Sequence, residues 1–412
     1  METFSAEVAA QRAGVGPEEI LRLRTLGILP GDPDAGYTDA DIRRVQVVQA
    51  LERSEMPVEH VGRLIREGSM SLDFIDTAGD QVFTALSDTT FAELSARTEV
   101  PVEVLLTLRD ATGGKQASPT DRVREDELQI VPLIELQLSL GFRPAAVERA
   151  LRVYGHSLRR VAEAEAEWWR SEIQDRMLAS GASADEVGRR AGEISPSLSR
   201  ASDDAVLAIY HGQQMHVWST NIVDGIATAL EQAGLHTREE RHPAMCFLDI
   251  TGYTQLTHEL GDAAAAQMVE RLNRIVQRSS VRHGGRPVKW LGDGVMSYFP
   301  DPGRGVVAAV EMVAELATAE LPPAHVGLHA GPVVFQEGDY YGQTVNVASR
   351  IGDYARPGEV LVSRAVRDAF VESTVSRATS LEFTEVGPVE LKGLASLVEL
   401  LAVRAADSVV DP

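Results

Sequence analysis

Two aspartates beside short apolar runs are the residues of this 412-residue chain whose placement most directly invites chemistry. Met245-Cys246-Phe247-Leu248 has the length and composition of a buried strand, and it delivers Asp249 at its C-terminal end. Val281–Trp290 and Val295–Phe299 read as two further strands flanking Leu291-Gly292-Asp293-Gly294, in which Asp-Gly is a hairpin signal. By itself Asp293 fits turn chemistry. Two carboxylates at adjacent strand ends also suit hard divalent cations, which take oxygen ligands. After the first of them, Ile250-Thr251-Gly252-Tyr253-Thr254 reads as a turn whose backbone amides could face an anion where the next helix begins.

Cations are placed sparingly. Lys115, Lys289 and Lys392 are the only lysines, so arginine supplies nearly all the positive charge and the position of each lysine is informative. Asn346 and Arg350 lie four residues apart, on one face of a helix, and can reach the same substrate.

These residues fall within five blocks that occur in a fixed order. They are Phe247-Leu248-Asp249-Ile250-Thr251-Gly252-Tyr253-Thr254, Lys289-Trp290-Leu291-Gly292-Asp293-Gly294, Val326-Gly327-Leu328-His329-Ala330-Gly331, Asp339–Arg350 and Leu391-Lys392-Gly393. The constellation closely resembles the class III nucleotidyl cyclases. The resemblance implies a C-terminal α/β domain of ferredoxin-like (palm) type and cyclisation of ATP to 3′,5′-cyclic AMP and pyrophosphate, a phosphorus–oxygen lyase reaction. It implies two metal ions per site, Mg²⁺ or Mn²⁺, held by Asp249, Asp293 and the Ile250 carbonyl. One ion would lower the pKa of the ribose 3′-hydroxyl and the other would hold the phosphates.

Other roles follow from the same resemblance. Asn346 positions the ribose, Arg350 stabilises the transition state and Lys392 holds the terminal phosphates. Lys289 and Asp339 choose the base, because a donor beside an acceptor complements adenine's ring nitrogens and exocyclic amine. Guanylyl cyclases carry glutamate and cysteine there. One position departs from the pattern: many members have arginine just before the Val-Gly-Ile-His strand, where this chain has His325. Family sites form head to tail between two chains, so a chain carrying both halves is expected to be a homodimer with two equivalent sites.

The elements that position these residues begin near Ala244, where β-branched runs start to alternate with helices. Everything before that reads as helical, giving an α+β chain whose all-helical N-terminal regulatory region precedes the cyclase domain. Residues 6–67 resemble the helix-turn-helix of MerR-type regulators, on Thr25-Leu26-Gly27-Ile28-Leu29-Pro30 and Gly36-Tyr37-Thr38. Arg12, Val15, Glu18, Ile20, Leu21, Leu23 and Arg24 recur 85 residues later as Arg97, Val100, Glu103, Leu105, Leu106, Leu108 and Arg109. A second copy over about 91–152 is expected. Chance similarity of two amphipathic segments is the plainer alternative. A charged connector over 157–237 should contain helices at Val161–Met177 and Asp203–Gln232, separated by a Ser-rich break at Ser195–Ser199. The expected division is thus 1–156, 157–237 and 238–405.

Charge and composition narrow the classes. The formal balance is −22, with 24 basic and 40 acidic groups in residues 1–240 against 15 and 21 in 241–412. Residues 1–80 hold eight arginines, no lysine and fifteen acids, which argues against specific DNA binding. No apolar run approaches the ~18–20 residues of a membrane span, the start is acidic, and Cys246 is the only cysteine. A cytoplasmic protein is expected. The whole chain resembles actinobacterial cyclases with an N-terminal autoinhibitory, pH-responsive region. His211 and His216, on a helix where Val206, Tyr210 and Val217 recur at helical spacing, are the candidate proton sensors, with simple surface histidines as the alternative. The competing functions are an inactive nucleotide sensor and a helix-turn-helix transcription regulator with a cyclase-like effector domain.

Overall fold

The computed structural model describes residues 3–30, 36–75, 84–235, 242–377 and 379–406. The chain divides into two compact units, Met1–Ile226 and Ala227–Pro412. Most of the expected connector therefore belongs to the first unit, and the boundary expected at 237/238 lies outside the described residues.

The first unit opens with α1 (Ala6–Ala13), α2 (Pro17–Thr25), α3 (Asp39–Arg53) and α4 (Val58–Arg66). After them come β1 (Leu86–Thr90), α5 (Phe91–Thr98), α6 (Val102–Ala111), β2 (Arg122–Arg124), α7 (Glu125–Ser139) and α8 (Pro144–Trp169). Helices α5 to α8 begin 85, 85, 86 and 86 residues after α1 to α4. The caps recur at that spacing. Asp41 accepts the Thr38 amide at the head of α3, and Glu127 accepts the Arg124 amide at the head of α7, both at 2.8 Å. Ile20, Leu23, Val45 and Val48 fill one core, and Leu105, Leu108, Val131 and Ile134 fill a second at matching positions. A short antiparallel ribbon, β1 with β2, interrupts the helices.

α9 (Asp175–Ala179) and α10 (Ala184–Gln232) follow. α10 runs unbroken through Ser195–Ser199 with Pro196 inside it, where the sequence suggests a break. A proline deletes one backbone hydrogen bond, and a long helix already nucleated on both sides tolerates that loss.

The second unit is built on one seven-stranded sheet. Its elements are β3 (Ala244–Ile250), α11 (Tyr253–Leu260), α12 (Asp262–Arg282), β4 (Arg286–Trp290), β5 (Gly294–Phe299), α13 (Pro302–Thr318) and β6 (Ala324–Ala330). Then come β7 (Val334–Gln336), β8 (Asp339–Tyr341), α14 (Gln343–Tyr354), β9 (Val360–Ser363), α15 (Arg364–Glu372), β10 (Leu381–Val389) and β11 (Val398–Ala405). The strand order is β10-β11-β9-β6-β3-β5-β4, antiparallel except where β6 meets β9. The segment β6-β3-β5-β4 has the split βαβ arrangement of ferredoxin-like folds. The strand expected from Val281 starts five residues later, because α12 continues to Arg282 and the Gly284–Gly285 turn then redirects the chain.

Alternation along β3 sorts the layers. Cys246, Leu248 and Ile250 face the core built with α12, α13 and α15, whereas Met245 and Phe247 pack with Ala348 of α14 on the other face. Asp249 has the parity of Met245 and Phe247. Gly327 lets α14 approach β6 closely, since a Cβ there would lie 2.1 Å from the Gly352 amide nitrogen.

Candidate active site

β3 and β5 pair so that Asp249 stands opposite Gly294, which places Asp293 at the adjoining hairpin turn. Leu291 N donates to the Gly294 carbonyl at 2.8 Å, and Gly292 takes φ +79° to close that turn. A Cβ on residue 294 would sit 2.7 Å from Asp249 Oδ1, so glycine is required for the carboxylate to lie as it does. Ile250 N donates to the Asp293 carbonyl at 3.3 Å, tying the two loops together. Partial burial and the nearby Asp293 carboxylate raise the Asp249 carboxyl above the usual range. A cation between them would relieve that cost.

His325, on β6 beside Asp249, donates from Nδ1 to the Gly352 carbonyl at 3.0 Å and turns Nε2 to within 3.6 Å of Asp249 Oδ2. The residue that replaces the family arginine thus lies against a candidate metal ligand. Among the described residues no trio of His, Cys, Asp or Glu cages an ion. Two carboxylates and the adjacent Ile250 carbonyl still suit Mg²⁺ or Mn²⁺. Such ions are commonly held by one or two carboxylates, with phosphate oxygens and water completing the shell.

α14 begins at Gln343 and carries both Asn346 and Arg350 on an exposed surface. Arg350 donates to Asp353 Oδ2 at 2.7 Å, a contact one helical turn along that sequence reading did not single out. Lys289 on β4 donates to Asp339 Oδ2 on β8 at 3.0 Å, so the two residues expected to read the base form one ion pair. Lys392 is exposed in the turn between β10 and β11, beside the buried Leu391. Among the described residues, no hydrogen bond or ion pair joins Asp249 or Asp293 to Lys289, Asn346, Arg350 or Lys392. The regulatory candidates His211 and His216 lie on α10 and are exposed, as are Tyr210 and Val217, while Val206 of the same stripe is partly buried.

The sequence of residues 236–401 matches the adenylate and guanylate cyclase catalytic domain family. The C-terminal unit carries a class III cyclase domain. Relatives agree with it. A pH-sensitive adenylate cyclase of Mycobacterium tuberculosis is 27% identical over 324 residues, 76% of this chain and 77% of the relative. An adenylate cyclase of Streptomyces coelicolor is 29% identical over 160 residues, 39% of this chain and 42% of the relative. One from Glutamicibacter nicotianae is 27% identical over 254 residues, 59% of this chain and 62% of the relative. The match therefore spans less than two thirds of those last two proteins. Among solved structures, the adenylyl cyclase CyaB from P. aeruginosa aligns with 19% identity and a TM-score of 0.36, over 41% of this chain and 96% of that one. The similarity to the M. tuberculosis enzyme extends beyond the cyclase domain into the helical unit, which fits an N-terminal regulatory region. Among the described residues, no helix is long and apolar enough to cross a membrane.

Proposed function

We propose that the cyclase domain converts ATP to 3′,5′-cyclic AMP and pyrophosphate in sites shared by two chains, under control of the N-terminal unit. The observation that carries this reading is the Lys289–Asp339 pair, a donor and an acceptor 3.0 Å apart on neighbouring elements. The ammonium can donate to a ring nitrogen of adenine while the carboxylate accepts from the exocyclic amine, whereas guanine's O6 and N1–H reverse part of that pattern. In the reaction the 3′-oxygen bonds to the α-phosphorus, the bond from that phosphorus to the bridging oxygen breaks, pyrophosphate leaves and the hydroxyl proton is released.

The residues divide the work. Asn346 orients the ribose through its amide. Arg350, released from Asp353, meets the charge that gathers on the α-phosphate. Lys392 presents a compact charge to the terminal phosphates. Asp249, Asp293 and the Ile250 carbonyl would hold divalent ions, which neutralise phosphate charge and acidify the attacking hydroxyl. In this reading Asp249 and Asp293 of one chain and Asn346 and Arg350 of a second copy complete each site, the arrangement that the twofold symmetry of a homodimer gives twice.

Complementation tests this directly. Asp249→Ala and Asn346→Ala chains should each be inactive, losing at least ~10²-fold, and mixing them should restore activity because one of the two sites in the mixed dimer keeps every group. No recovery on mixing, with dimer exchange verified, would sink the shared site.

A further inference from the structure

We propose that Arg286 and Tyr340 are positioning residues that set the spacing of the base-reading pair, through a side-chain clamp between β4, β5 and β8. This rests on the reading of Lys289 and Asp339 as the residues that recognise adenine. The problem the clamp solves is visible in the topology. Among the described residues β8, which carries Asp339, pairs only with β7 and forms a two-stranded ribbon outside the seven-stranded sheet. An isolated two-stranded ribbon is marginal in water. β4, which carries Lys289, is the edge strand of the main sheet, and its pairing is irregular between Pro287 and Lys289. Among the described residues no backbone ladder joins β4 to β8, so the distance from Lys289 to Asp339 is set by side chains. Their own ion pair is too exposed to set it, with the lysine side chain 54% accessible.

One side chain of the ribbon turns inward. Val334, Phe335 and Tyr341 are half exposed or more, while Tyr340 is 8% exposed. Its ring stacks on Tyr298 of β5 with centroids 4.6 Å apart and planes 10° from parallel. Arg286 of β4, directly opposite Tyr298 in the ladder, donates from Nη2 to Tyr340 Oη at 2.7 Å. Its guanidinium lies 5.3 Å from the Tyr298 centroid and 5.9 Å from that of Tyr340. Planar stacking and a directed donor are what arginine offers and lysine does not.

The clamp is coupled to the carboxylate itself. Asp339 Oδ1 accepts the Tyr340 amide at 2.8 Å and Oδ2 accepts Lys289 at 3.0 Å. A shift of Tyr340 therefore rotates or displaces Asp339 relative to Lys289. Base discrimination depends on donors and acceptors held at fixed separations, so a loosened clamp should blur the choice of base more than it slows chemistry.

The test uses the full-length chain and the ratio of kcat/KM for ATP to that for GTP. Arg286→Ala and Tyr340→Phe should each lower this ratio about tenfold, mainly by raising KM for ATP, with kcat changed much less. Arg286→Lys should recover only part of the loss. Tyr340→Phe keeps the stacked ring, so its melting temperature serves as a folding control. In an Asp339→Ala background, neither substitution should lower the ratio further. If Asp339→Ala changes the ratio while Arg286→Ala and Tyr340→Phe leave it alone, the clamp is wrong and the base-reading pair survives. If Asp339→Ala itself leaves the ratio unchanged, the base-reading assignment fails and the clamp's role fails with it.

Discussion

Replacing His329 with asparagine should remove a large part of the acid sensitivity of the folded cyclase domain. His329 lies on β6 with Nδ1 2.8 Å from Ser363 Oγ, and burial pushes its imidazole down from 6.5 to about 4. The unfolded chain takes up this proton near pH 6.5 and the folded domain only near pH 4. Above about pH 6.5 both states are neutral, and the stability is fully present there. As pH falls below that value the unfolded state binds the proton first, so stability is lost until the folded pKa is reached. The separation corresponds to ~3 kcal/mol in the acid limit and about 2 kcal/mol at about pH 5. For a domain of this size, about 2 kcal/mol moves the melting temperature by roughly 4–8 °C. Asparagine offers an amide near the place of Nδ1 and does not titrate, and any constant cost of the substitution cancels when pH values are compared. Scanning calorimetry of the full chain at about pH 8 and about pH 5 gives the measurement. The cyclase transition is identified by its shift with Mn²⁺ and a non-cyclisable ATP analogue. Parallel pH dependences for the wild type and His329→Asn would refute the reasoning.

Asp249→Asn should abolish cyclase activity yet raise the melting temperature near neutral pH without metal, because the folded state raises this carboxyl's pKa and so disfavours its charge. That gain should shrink as pH falls through the raised value, and a lower melting temperature in EDTA at about pH 8 would contradict it. Glu127 is fully buried against Arg109, so Glu127→Ala should destabilise the second helical copy by about 3–5 kcal/mol in urea denaturation followed by circular dichroism, and a neutral effect would argue against the buried pair. Lys289→Glu with Asp339→Cys should shift relative use from ATP toward GTP. A double variant with the wild-type preference would remove these residues from base recognition. The full chain should gain activity between about pH 8 and pH 6, and a chain lacking residues 1–237 should be more active at about pH 8 and lose most of that rise. Superimposable pH profiles would show that the N-terminal unit does not sense protons.

What was legible in the sequence is what local physics decides. The apolar run 245–248 predicts a strand ending at Asp249, Asp-Gly predicts the turn at 293–294, and the four-residue spacing puts Asn346 and Arg350 on one turn of α14. The repeat seen in the sequence recurs in the starts of α1–α4 and α5–α8, 85 or 86 residues apart, because caps and core positions are set within a few residues. Where local signals compete, longer-range structure decides. Val281 has a strand former's side chain but lies in α12, whose Leu272, Ile275 and Val276 are committed to the sheet's core. Ser-Pro at 195–196 reads as a breaker, yet α10 passes through it.

The geometry around the candidate base and metal positions was tertiary information. His325 is marked in the sequence only as a departure, and the pairing of β3 with β6 brings it against Asp249. Arg286, Tyr298 and Tyr340 carry no spacing signal, since their contact depends on β4 pairing with β5 and on the β7–β8 ribbon folding over them. Side-chain identity and periodicity determine which elements form and which faces they bury. Contacts between residues 12 to 54 apart, such as Arg286 with Tyr298 and Tyr340, exist only once the sheet has closed, because the entropy of bringing them together is met by the whole core and not by the contacts themselves.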